Sequence, residues 1–234
     1  MTRTLFASLM LASLISCSTM STPNPVFVSK IDSYFNNTRA ATYQASGKFK
    51  RPIAYEVGQY VVTGTTHGAE RSIGKMAIVG KEIDGWIIET YSLNPSSEST
   101  TQMMVKGMEA AQETGSIDGL EFGWIKIKNQ GEPVQTIDGP ALAITKGLFK
   151  KALLGLESHV GIIHDAGNVR VAAGNFNGST KTSSEVSFMG KKYISDIWLH
   201  PSVPINGMVK SVNENEEMKI ELLDFGLSGA KRSF

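Results

Sequence analysis

Met218-Lys219-Ile220-Glu221-Leu222 alternates apolar with charged residues, and Ile125-Lys126-Ile127-Lys128 does the same earlier in the chain. A period of two puts successive side chains on opposite faces of a strand, so each segment has one dry and one wet face. That is the signature of antiparallel strands covering a core on a single side. Segments of this kind begin after Gly58 and are bounded by Gly, Asn and Asp. Residues 59–66 and 73–82 read as a pair around the loop His67-Gly68-Ala69-Glu70, and Asp84-Gly85 reads as a two-residue turn into Trp86-Ile87-Ile88-Glu89-Thr90-Tyr91. The pattern continues over 100–106 and returns at 169–173, 184–189, 192–199 and 207–212. The expected fold is mainly β, with about ten strands.

Two segments have helical period instead. Val28, Ile31 and Phe35 predict a short helix over 27–41. Asp138-Gly139-Pro140 reads as a helix start, and Leu142, Thr145, Phe149, Ala152, Leu153 and Leu156 then share one face, with Lys146, Lys150 and Lys151 toward the wetter side. Such a helix could lie in a membrane interface, but the commoner disposition packs its stripe against the concave face of the sheet.

The chain has 23 basic and 22 acidic residues, 41% apolar and 19% charged content. These are the proportions of an ordinary globular protein, without the basic stripe of a nucleic-acid binder. The N-terminus carries a different signal. Arg3 precedes the apolar run 5–15, which is too short to span a bilayer and has the layout of a secretion signal. Leu14-Ile15-Ser16-Cys17 resembles the bacterial lipobox. The resemblance implies that the signal is cut before Cys17, that its thiol takes a diacylglyceryl group, and that the freed amino group is a further acylation site. Two chains suffice for stable anchoring. The competing reading is a signal whose apolar region merely contains a cysteine; Cys17 being the only one in the chain favours lipid. Residues 1–16 are thus expected to be a signal peptide, 17–26 a lipidated tether rich in Ser, Thr and Pro, and 27–234 a single β-rich globular domain. Ser18 stands where an aspartate retains many such proteins at the inner membrane, so the expected location is the outer membrane of a bacterial envelope.

Motifs for chemistry are sparse. His159 and His164, with Asp165 beside the second, are five residues apart, which puts the two rings on different faces of a helix or strand. His67 and His200 read as surface residues. The stretches 94–99 and 180–184 read as solvated loops, and Glu214, Glu216 and Glu217 as a solvated hairpin tip. No nucleophile elbow or phosphate-cradling loop is present, so no catalytic residue, cofactor or metal is expected.

An ordered set of motifs then stands out: Gly58-Gln59-Tyr60-Val61, Ile78-Val79-Gly80-Lys81-Glu82 with Gly85-Trp86-Ile87-Ile88-Glu89, Val169-x-Val171-x-Ala173-Gly174-x-Phe176, Asp196-Ile197-Trp198-Leu199-His200-Pro201-Ser202-Val203-Pro204, Gly207-Met208-Val209-Lys210, and Glu221-Leu222-Leu223-Asp224-Phe225-Gly226. Over residues 56–230 the chain resembles a group of largely uncharacterised bacterial envelope proteins with the architecture of the Lol-type lipoprotein carriers and related lipid-binding lipoproteins. The resemblance implies a curved, incompletely closed antiparallel sheet with helices on its concave side, and a hydrophobic cavity. The second cysteine that the group carries after Ala-Gly-x-Phe is replaced here by Gly178-Ser179-Thr180, so no disulfide carries over.

Two expectations follow. In one, Met76, Ile78, Trp86, Ile88, Trp124 and Trp198 on the sheet, with Leu142 and Phe149 of the helix, line a cavity for an acyl chain or a lipoprotein's lipid. The competing reading makes them ordinary core under the helix. In the other, the core is full, and a surface or scaffold lipoprotein binds another envelope component through its convex face.

Overall fold

The computed structural model describes residues 22–114, 116–143, 164–188, 191–215 and 217–234. Its element order is α1 (Pro25–Asn36), β1 (Thr42–Gln44), β2 (Tyr60–His67), β3 (Glu70–Glu82), β4 (Gly85–Asn94), β5 (Ser97–Lys106), α2 (Met108–Thr114), β6 (Glu121–Asn129), β7 (Gln135–Ile137), a helical stretch α3 (139–143), β8 (His164–Val171), β9 (Gly174–Phe188), β10 (Lys191–Leu199), β11 (Met208–Asn213) and β12 (Met218–Gly226). The strands form one 12-stranded sheet in the order β1-β9-β10-β11-β12-β2-β3-β4-β5-β6-β7, with β8 on β9. It does not close into a barrel. All pairings are antiparallel except β1 on β9, which is parallel.

The alternation seen in the sequence sets the two faces. Cross-strand partners Ile78, Ile88, Met103, Ile125 and Ile137 form one continuous row across β3 to β7 on the concave side. The first four are 0% exposed. Each buried side chain of this size contributes roughly 1.5–3 kcal/mol, so the row alone is a large part of the core. Over it lie Tyr55, Met108 and Ala111 of α2, Ile117, Leu120, Leu142 of α3, and Val169, Val171, Ala173 and Phe176 from the β8–β9 hairpin. Phe176 is 0% exposed, stacks on Tyr43 at 4.8 Å and meets Phe225 at 6.0 Å.

The helix expected over 27–41 is shorter and starts earlier, because Asn24 caps it by accepting from the Val26 N–H at 2.9 Å and Pro25 fills the first turn. It lies on the convex face, where Phe27 and Ile31 pack on Val62, Ile73, Leu93 and Leu223. Gly64 lets it approach: a Cβ there would sit 2.5 Å from the Phe35 ring.

The middle of β9 departs from the sequence reading. Residues 180–184, expected as a loop, are the middle of β9, and Thr180 and Thr182 are 2% and 1% exposed. The Thr180 hydroxyl is satisfied inside because the covering segment brings its own backbone: the Phe49 N–H donates to Thr180 Oγ1 at 3.1 Å. The helix expected over 138–156 is described only at its start, 139–143. There Leu142 is 8% exposed and belongs to the main core. Residues 144–156, with Phe149, lie outside the described residues.

Candidate functional site

Of the residues expected to line a cavity, Met76, Ile78, Trp86, Ile88 and Leu142 do come together on the concave side in one cluster. They are 1%, 0%, 6%, 0% and 8% exposed. The space in front of them is taken by the chain itself. Tyr55 meets Trp86 edge-on at 6.2 Å, and the Trp86 indole N–H donates to Glu109 Oε1 of α2 at 2.7 Å. Burial, with the Glu109 carboxylate nearby, pushes the Tyr55 phenol up to about 12.

Trp124 is a correction to the expected lining. Ile125 and Ile127 face the core, so the alternation turns Trp124 outward with Lys126, and it packs, as Tyr60 and Ala230 do, against the cluster of Ala77, Val79 and Ile87 on the convex side. Trp198 is half-buried beside the main cluster, and its register partners Lys181 and Lys210 hold their ammonium groups 5.1 and 5.0 Å from its ring centre. Phe149 lies outside the described residues, as does Cys17.

His200, read as a surface residue, is 0% exposed. Its ring stands edge-on to Phe176 at 5.2 Å, Nε2 lies 3.1 Å from the Asn177 carbonyl and Nδ1 accepts from the Ser202 N–H at 3.2 Å. Nδ1 as acceptor makes this a neutral imidazole with its proton on Nε2. Burial lowers its pKa, opposed only by the Asn177 carbonyl. It pins the end of β10 to the Asn177 and Ser202 backbone. His164 is exposed at the start of β8, the neighbouring Asp165 carboxylate accepts from the Gly167 N–H at 2.8 Å, and His159 lies outside the described residues. Among the described residues no cluster of His, Cys, Asp and Glu could hold a metal ion.

The convex face holds two polar arrangements the sequence reading missed. At one end Lys30 of α1 reaches Glu98 Oε1 at 2.7 Å, and the Tyr91 hydroxyl donates to the same oxygen at 2.9 Å. Burial opposes both charges, yet the contacts win: the Lys30 pKa is raised and that of Glu98 lowered. Further along the face, residues 227–234 cross the sheet. There the Ser233 N–H donates to Glu89 Oε2 at 2.9 Å, its hydroxyl donates to Oε1, and Gln102 Nε2 donates to both Glu89 Oε2 (2.8 Å) and the Phe234 carbonyl (2.9 Å). Glu89 and Gln102 are 5% and 1% exposed, so this terminal strap encloses a carboxylate that hydrogen bonds alone satisfy. The signal available in the sequence was small: Glu89 and Gln102 are polar in strands whose outward positions were expected to be wet anyway.

A half-open cleft of about 340 Å³ lies between Thr38, Arg39 and Ala40 and the β8–β9 turn at Arg170, Val171 and Ala172. Arg39, itself exposed, is committed to Asp224 and to the Phe225 carbonyl, and Arg170 across the cleft is exposed as well. No helix among the described residues is long and apolar enough to cross a membrane. No family model matches the chain, and no curated protein matches it.

Proposed function

We propose that this chain is a lipid-anchored lipoprotein of the bacterial envelope whose half-barrel is filled by its own side chains, and that it serves as a surface or scaffold unit rather than a carrier. One observation carries the choice between the two: Met76, Ile78, Trp86 and Ile88, which would have to face an acyl ligand, are at most 6% exposed beneath Tyr55, α2 and the β8–β9 hairpin. A ligand pocket needs concave apolar surface left open. The anchor rests on Leu14-Ile15-Ser16-Cys17 and on the short run before it.

A second reading, the acyl carrier, draws on Phe122, Ile127, Ile137 and Ala166, which are only partly buried at the margin of the core. An acyl chain bound by this protein would lie against them.

Labelled palmitate tests the anchor. Incorporation into the chain, lost with Cys17→Ser together with membrane association in about 300 mM salt, is the expected outcome. A chain that takes no label, or that stays on the membrane at that salt after Cys17→Ser, contradicts it.

A further inference from the structure

Lysines laid over aromatic rings recur on the convex face. Lys75 sits over Tyr60 at 5.3 Å, Lys126 over Trp124 at 4.9 Å and Lys128 over Phe234 at 5.5 Å. Their positions follow from register. Lys75, Tyr91, Thr100 and Lys128 are consecutive cross-strand partners on β3 to β6, in the row next to the Ile73–Leu93 pair that α1 covers. Lys126 is in the following row, opposite Gln102, and the Arg232 guanidinium lies over Gly80 of β3.

Among the described residues, these four cations have no carboxylate partner. The convex carboxylates near them are already engaged: Glu98 by Lys30, Glu89 by the terminal strap and Asp224 by Arg39. The result is a positive surface set with half-buried aromatic rings, in a chain whose overall charge is only +1.

The tether leaves from the same side. The helix α1 lies on the convex face, and the Asn24 N–H just before it donates to the Pro95 carbonyl at 2.7 Å, at the β4–β5 turn. The seven residues Ser18 to Asn24 reach at most about 25 Å when fully extended. A lipid on Cys17 therefore tethers the body from its convex side, at the β4–β5 turn, within about 25 Å of the headgroups.

We propose that the convex patch of Lys75, Lys126, Lys128 and Arg232, with Trp124 and Phe234, is a second membrane contact that seats the body on anionic phospholipid headgroups. Lysines near an anionic surface attract it over about one Debye length, and indole and phenyl rings suit the headgroup level. The orientation rests on the anchor proposed above; the affinity for anionic lipid does not.

The test uses the chain from residue 17 onward carrying Cys17→Ser, so that no acyl group contributes, in flotation with vesicles. Vesicles of phosphatidylethanolamine with about 30% phosphatidylglycerol, at about 50 mM salt, should carry the protein; neutral phosphatidylcholine should not, and about 300 mM salt should release it. Lys126→Glu with Lys128→Glu should weaken binding at least about tenfold, since each lysine near the surface contributes about fivefold. Lys48→Glu with Lys50→Glu, the same charge change on exposed residues flanking the buried Phe49 of the concave side, should leave it unchanged. Lys126→Ala with Lys128→Ala gives the intermediate loss should the charge reversal disturb folding. Equal binding to neutral vesicles, equal loss from both double reversals, or no binding at all overturns the proposal. Vesicle binding without palmitate incorporation would remove the anchor and leave the surface.

Discussion

The two faces of this sheet are both covered by the chain's own segments, but by different physics. On the concave side Phe176, Tyr55, Met108 and Leu120 fill space against an apolar row, and the gain is proportional to area removed from water. On the convex side α1 and the terminal strap are short and are held at points: Lys30 on Glu98, Ser233 and Gln102 on Glu89. The concave cover behaves as core and should be lost only with the whole fold. The convex covers are expected to detach singly, because α1 rests on its own small cluster around Phe27 and Ile31 and the strap on the Glu89 hydrogen bonds, neither shared with the concave core.

The largest effect should come from Phe176→Ala. It removes a 0% exposed ring with partners in Tyr43, Phe225 and His200, and urea unfolding should show a loss of about 3–5 kcal/mol. A loss under about 1 kcal/mol would mean the concave side is loosely packed. Gly64→Ala forces a methyl group into Phe35 and Leu223; about 1–3 kcal/mol is expected, with faster proteolysis of residues 24–40 than of the sheet. Glu89→Ala leaves the Ser233 donors and one Gln102 bond without their acceptor. About 1–3 kcal/mol should be lost, and amide exchange should rise at 230–234 while β9 and β10 stay protected. Uniform deprotection of both faces would contradict the independence of the strap.

A pH profile sharpens the contrast further. The folded pKa of His200 lies below its ordinary value because burial disfavours the cation. Above an unfolded value of about 6.5 neither state is protonated. Below that value the unfolded chain binds the proton first, so stability falls as pH drops from about 6.5 toward the folded pKa. His200→Asn should flatten the stability profile between about pH 5 and 7. The convex pair acts in a lower window: the Glu98 pKa is depressed in the fold, so its contribution is complete above the unfolded carboxylate value, about 4.3, and fades as pH falls through the folded one. The smallest change should be Thr182→Val. Among the described residues the buried Thr182 hydroxyl has no hydrogen-bond partner, so this swap should be neutral or stabilise by up to about 1 kcal/mol.

The same contrast explains what could be read in the residues alone. Period-two segments such as 125–128 and 218–222 announced strands and their faces, because one side had to be apolar. The short β1 and β7, and the Gly- and Asn-rich beginnings of β8 and β9, have no such alternation and are held by pairing with distant partners: Tyr43 with Phe176, Ile125 with Ile137. Thr180 and Thr182 looked wet and are dry, since a distant backbone group satisfies one of them. Trp124, expected among the lining residues, lies on the other face, as its alternation with Ile125 requires. Glu89 carried no local cue, because its partners at 102 and 233 meet it only in the fold.

Native mass spectrometry of residues 17–234 carrying Cys17→Ser, exported behind an ordinary cleavable secretion signal in place of residues 1–16 and recovered from a bacterial envelope, bears most directly on whether the half-barrel is filled from within. A single species at the mass of the polypeptide, unchanged after organic extraction, is the expected result. A species carrying an extractable adduct of acyl-chain mass in stoichiometric amount would contradict it and make this protein a carrier.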